Sequence, residues 1–210
     1  MIVDWPRFVS ALVLLLTPVS LFYGKKIRYR DISRDWDEHW LRILTHGLHA
    51  IDFSRAALGT WLLLDSLHSV PNAHGLAEYA VLLTQGSIRI FAVFLQTVVC
   101  REPGHSNAPF AFVTGLLLTG IAPLVAVFAL VLAISVAMGA RSPAAFFPLV
   151  AVGHLCLGYV LKGSGGVIGL SFGAVAAMVP VLWSFMFHRD LVIAYRAKRL
   201  PSESVPDRMR

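Results

Sequence analysis

Four ionisable residues of this 210-residue chain stand inside apolar runs: Asp52, Arg55, Glu78 and Arg89. Gln85 and Gln96 lie beside them. A charge near the centre of a membrane helix costs about 2.5–3.5 kcal/mol on insertion scales, so such residues mark a path for ions, protons or solutes, or a neutralised buried network. Asp52 and Arg55 are one helical turn apart and able to pair along one helix. Glu78, Gln85, Arg89 and Gln96 are spaced by 7, 4 and 7 residues, which lines one stripe of a helix. His49, Asp52, Ala56, Gly59 and Ser66 make a comparable stripe of small and polar residues. The formal charges of the four embedded residues sum to zero. Two stripes that face each other or a shared cavity are therefore expected. Asp52, Arg55, Gln85, Arg89 and Gln96 form the expected polar path or buried network, with Arg89 its most central charge. Glu78 and Asp65 lie nearer segment ends, at headgroup level.

The eight histidines raise a second chemistry. A b-type haem takes two neutral imidazoles at matching depth on different helices, and a chlorophyll-type pigment takes one. His46 or His49 with His154 are the candidate haem or pigment ligands. A satisfied polar histidine in a packed interface is the bland alternative. Other patterns carry less. Glu102-x-x-His105 has the spacing of a di-iron pair, but Pro103-Gly104 breaks the helix that motif requires. Lys162 precedes a Gly-rich turn, whereas a phosphate-binding loop has its lysine after the glycines and a strand before them. Cys100 and Cys156 form no C-x-x-C pair. No metal cluster and no nucleophile–base arrangement is visible, so an enzyme is not favoured.

The elements that must position these residues follow from composition. The chain is 57% hydrophobic and 14% charged, with a mean hydropathy of +0.69. Soluble domains average about 45–50% apolar and about 25% charged. This excludes a soluble enzyme, a disordered tail and a nucleic-acid-binding domain. The net charge of +6 comes from basic residues that flank apolar runs, as in membrane proteins held against anionic lipid. The expected fold is an all-α, polytopic transmembrane bundle in one domain, residues 1–188, followed by a basic juxtamembrane tail, 189–210. Six membrane segments are expected, at about 8–23, 47–67, 76–100, 109–137, 144–161 and 167–187. Between the first two, Trp36, Trp40, Ile43 and Leu44 share a helical face. They predict an interfacial amphipathic helix over about 31–44, with Trp36 and Trp40 as membrane-interface anchors.

The topology does not balance. Six complete spans divide the Lys and Arg residues outside them evenly between the two faces, against the positive-inside rule. Five crossings with segment 2 left out place fourteen on one face. A third solution is that Pro123 breaks segment 4 into a re-entrant element, again leaving an odd number of crossings.

Gly166, Gly169 and Gly173 form a small-residue face for close helix packing. The tail is expected to begin as a basic helix on anionic lipid and to break at Pro201. Size and packing features place a non-catalytic subunit of a larger membrane complex first among the functions. A small transporter or channel-like protein using segments 2 and 3 comes second, and a haem- or pigment-binding electron-transfer protein third. The partners expected are a bilayer with anionic lipids and other membrane subunits or further copies of the chain, without nucleic acid. A bacterial-type inner membrane is the expected location.

Overall fold

A computed structural model describes residues 2–19, 26–28, 32, 47–69, 75–100, 104–120, 122–163 and 167–194. Among them are seven α-helices: α1 Trp5–Leu16, α2 Gly47–Ser66, α3 Leu76–Val98, α4 Phe110–Leu118, α5 Pro123–Gly139, α6 Phe146–Lys162 and α7 Val167–Phe187. Five short strands accompany them: β1 Ile2–Val3, β2 Lys26–Arg28, β3 Leu67–His68, β4 His105–Asn107 and β5 Asp190–Ala194. Antiparallel β1 and β3 make one sheet; the other has the order β2-β5-β4, antiparallel then parallel.

These two sheets fix how the helices run. β2 follows α1, β4 follows α3 and β5 follows α7, so the C-terminal ends of α1, α3 and α7 lie at one end of the bundle. β1 precedes α1 and β3 follows α2, so α2 runs against α1 and ends at the opposite pole. There Asp4 N–H donates to Ser66 O at 2.9 Å, and Arg7 pairs with Asp65. α4 begins just after β4, at the three-stranded end. α6 packs antiparallel on α7 through a short connection, so α6 also begins there, and α5 must end there. Hence α4 enters and α5 returns at the same end. At nine residues, α4 is only about 13 Å long.

Local sequence accounts for most helix limits. Asp4 caps α1, its carboxylate accepting from the Arg7 N–H at 3.4 Å, and Pro6 suits the first turn. Pro123 likewise opens α5 and prevents α4 from continuing through it. The hydroxyl of Thr119 turns back to Gly115 O at 2.9 Å where α4 ends. The core runs through Leu15, Leu63, Val93, Phe112, Leu116 and Phe147, all at most 0% exposed. Outward, α5 presents Leu124, Val127, Phe128, Val131 and Leu132. Such a continuous apolar sheath suits lipid rather than water.

Three helices are long and apolar enough to cross a membrane: α3, α7, and α6 with the short turn before it, Pro143–Lys162. Membrane integration therefore agrees with expectation, while six spans do not appear among the described residues. Segment 1 yields a helix of only 12 residues, because Thr17-Pro18 stops it. Segment 4 is two helices, one ending at Leu118 and the next starting at Pro123. The tail departs from its expected helix: Leu191, Val192 and Ile193 are buried in β5, where β-branched residues and a place between two strands favour extended backbone. The expected interfacial helix, with Trp36 and Trp40, lies outside the described residues.

Candidate functional site: buried polar groups of the bundle

Most of the embedded polar residues serve the ends of helices. α1 stops after Leu16, leaving its last carbonyls without helical partners. Arg55 on α2 reaches them: Nη1 donates to Leu14 O at 2.6 Å and to Thr17 O at 2.5 Å. The rest of the guanidinium turns to Asp52, with Nε and Nη2 donating to Oδ1 at 3.0 and 2.8 Å. Its carbon lies 4.8 Å from the centre of the Phe112 ring on α4. Gln96 on α3 covers the same end from the other side, Nε2 donating to Leu15 O at 3.3 Å and Thr17 O at 3.1 Å. A buried carbonyl left unpaired costs about 1–3 kcal/mol, so this network offsets much of the cost of placing Asp52 and Arg55 in an apolar layer.

Two further amides do the same work. Gln85 Nε2 donates to Leu64 O and Leu67 O, both at 3.4 Å, where α2 gives way to β3. Asn107, in β4, donates to Gln96 O in the last turn of α3 and to Val99 O just past it. Asn107 was not among the expected residues. The available signal was an amide in front of Ala108-Pro109 and a long apolar run, which marks a chain about to re-enter the apolar layer. Glu78, the outer member of the α3 stripe, is exposed at the first turn.

Arg89 is different. It is 3% exposed. Its Nε donates to Gln85 O, one turn back, at 3.1 Å, and its Nη2 is buried with no hydrogen-bond partner. It makes no ion pair among the described residues. A Cβ on Gly120 would stand 3.5 Å from Nη1 and 3.2 Å from Leu117 O, so the guanidinium lies against the place where α4 stops. His154 on α6 is 4% exposed, and its Nδ1 is likewise buried without a partner. Arg89 and His154 are close enough to interact electrostatically. Gly173 on α7 makes room for the imidazole: a Cβ there would meet Nε2 at 2.9 Å and Leu117 at 3.0 Å.

Arg89, His154 and Leu117 share one depth. Arg89 lies nine residues before the end of α3, His154 eight residues after the start of α6, and Leu117 seven after the start of α4. At about 1.5 Å per residue that is roughly 10–14 Å from the three-stranded end in each case.

The remaining candidates sit elsewhere. His49 is buried near the start of α2, its ring 4.7 Å from that of Phe110. α2 packs on α1 and α4, whereas α6, which carries His154, packs on α5 and α7. His46 and Gly166 lie outside the described residues; Gly169 is half-buried on α7. No group of three or more His, Cys, Asp or Glu suited to a metal ion occurs among the described residues. No family model, no curated protein and no solved structure matches this chain.

Proposed function

We propose that this chain is an integral membrane protein with five crossings and one re-entrant helix pair, α4 and α5, and that it conducts a small solute past the tip of that pair. Charge supports the topology. With α4 and α5 entering and leaving on one face, that face carries six Lys and Arg in 25–46, Arg101, Arg141 and six more after Phe187, fourteen in all. The opposite face carries Arg7 and Lys162. This bias agrees with the positive-inside rule and puts the basic face toward the cytoplasm and its anionic lipids. A backbone break at membrane depth is tolerated where it is buried in protein or lines a cavity.

The observation that carries the functional reading is Arg89: a buried cation with an unpartnered nitrogen, beside a helix break, at mid-depth. Intramembrane charges with no structural partner are the ones that mark a pathway. Asp52, Arg55, Gln85 and Gln96 have structural duties and support the fold around it. A docking role drew first on the Gly173 face and on Trp36 and Trp40. His154 and Leu117 of the same chain fill the Gly173 face, which moves the subunit reading behind transport.

Osmotic swelling of liposomes containing the purified chain tests this. Glycerol, urea, sodium chloride, sodium acetate and sodium phosphate serve as probes. At least one is expected to enter faster than into empty liposomes, and Arg89→Gln is expected to abolish the difference. Entry of none, with the chain recovered from native membranes only in a larger assembly, would restore the subunit reading.

A further inference from the structure

We propose that Arg89 and His154, at the break between α4 and α5, form a binding site for a small oxyanion, a carboxylate or phosphate group. The inference names the solute class for the pathway proposed above and rests on that reading for its role, though not for its geometry. A guanidinium has five N–H donors. One of the Arg89 donors makes a hydrogen bond, to Gln85 O, and Nη2 makes none. In an apolar layer no bulk water meets the rest.

Two partial compensations are present. The carbonyl end of α4 lies beside Nη1 and carries a fraction of a negative charge. That partial charge does not neutralise the guanidinium. His154 does not supply it: an imidazole is neutral or cationic. What His154 adds is a second unpartnered nitrogen, Nδ1, which as an N–H is a donor like Nη2. A positive group and two unused nitrogens, on side chains that both pack around Leu117 of α4, call for an acceptor with negative charge and more than one oxygen. Arginine binds carboxylate and phosphate with two parallel bonds, so an oxyanion suits it better than a halide. Asp52 and Arg55 supply the contrast within the same protein. There the guanidinium has its carboxylate and its carbonyls, and nothing is left to recruit.

The test is equilibrium binding by the full chain in phosphatidylcholine nanodiscs. The thermal midpoint is followed against sodium acetate and inorganic phosphate, with chloride holding ionic strength constant. A ligand that binds only the folded state raises the midpoint in a saturable way. Wild type is expected to respond to acetate, phosphate or both. Arg89→Gln is expected to weaken the apparent affinity at least ~10-fold, the size of a lost charge-assisted bond, and Arg89→Lys less. His154→Phe is expected to weaken it as well, by several-fold. A rise in phosphatidylglycerol nanodiscs without added anion, lost in Arg89→Gln, would identify a lipid headgroup as the source of the same oxyanion. No response in wild type to any of these, or an equal response in Arg89→Gln, overturns the proposal.

If Arg89→Gln does not fold, His154→Phe decides, because it removes Nδ1 and keeps a ring beside Gly173; an unchanged response there overturns the site. Binding that depends on Arg89 without flux of any probe keeps the site and removes the transport reading. Flux without Arg89-dependent binding does the reverse.

Discussion

Arg55 sits one turn beyond Asp52 on α2 and holds both that carboxylate and the carbonyl of Leu14, 41 residues earlier in the chain. One guanidinium thus neutralises a buried acid and closes a helix that stops in the interior of the bundle. Arg55→Met removes both functions at once. It takes from Asp52 its Arg55 partner, and breaking such a buried pair costs about 3–5 kcal/mol. The double variant Asp52→Leu, Arg55→Met leaves only the carbonyls unmet. Chemical unfolding in detergent is expected to rank the double variant as more stable than Arg55→Met alone. The opposite order would mean that Asp52 has another cation in reach.

Gln96 approaches the same helix end from α3. Gln96→Leu keeps the volume and deletes two donors to Leu15 and Thr17. The expected loss is about 1–3 kcal/mol. Because Arg55 and Gln96 share the carbonyl of Thr17, their losses should not be additive. A double-mutant cycle on thermal stability measures the coupling directly, and a coupling of zero would mean that each amide and guanidinium acts alone.

The proposed re-entrant pair makes a prediction that six complete crossings do not. With Cys100 and Cys156 replaced by alanine, single cysteines at His105, Arg141 and Lys162 are offered to a membrane-impermeant maleimide. Labels at 105 and 141 are expected from the same side, and at 162 from the other. If α4 and α5 formed one continuous span, 105 and 141 would react from opposite sides.

How far the sequence reveals this architecture depends on the range of the interaction. The positions of α2, α3, α6 and α7 are readable because each is a long apolar run with a turn at its ends. The break at Pro123 is readable too, since proline removes a backbone donor and clashes with the preceding turn. Its meaning is not, because the direction of α5 is set by β2, β4 and β5, strands of three to five residues whose pairing is entirely tertiary. The polar stripe of α3 is visible as a spacing. The division of labour along it is invisible: Gln85 and Gln96 answer carbonyls of other helices, and Arg89 answers none. The tail shows the same limit. Leu191, Ile193 and Tyr195 among the basic residues read as the start of a basic helix until β2 and β4 are there to pair with the segment.

Glycine positions give a graded test of how closely the helices approach. A Cβ on Gly115 of α4 would collide with the carbonyl oxygen of Phe53, which belongs to the backbone of α2. Backbone inside a helix has no rotamer to change, so α2 and α4 must separate. A Cβ on Gly86 of α3 would meet the ring of Phe172 on α7, a side chain with a rotatable bond. On Gly153 of α6 it would stand 3.4 Å from Ala129 on α5, an ordinary contact. Alanine at the three positions is therefore expected to destabilise in the order Gly115, Gly86, Gly153. Overpacking costs typically about 1–3 kcal/mol, and Gly115→Ala belongs at or above the top of that range. Gly153→Ala is expected to be neutral or mildly stabilising, because alanine favours helix over glycine. Thermal midpoints of the three variants in one detergent decide it. A benign Gly115→Ala would mean that α2 and α4 stand further apart than their backbones do here, and that Phe112 on α4 is not held over Arg55.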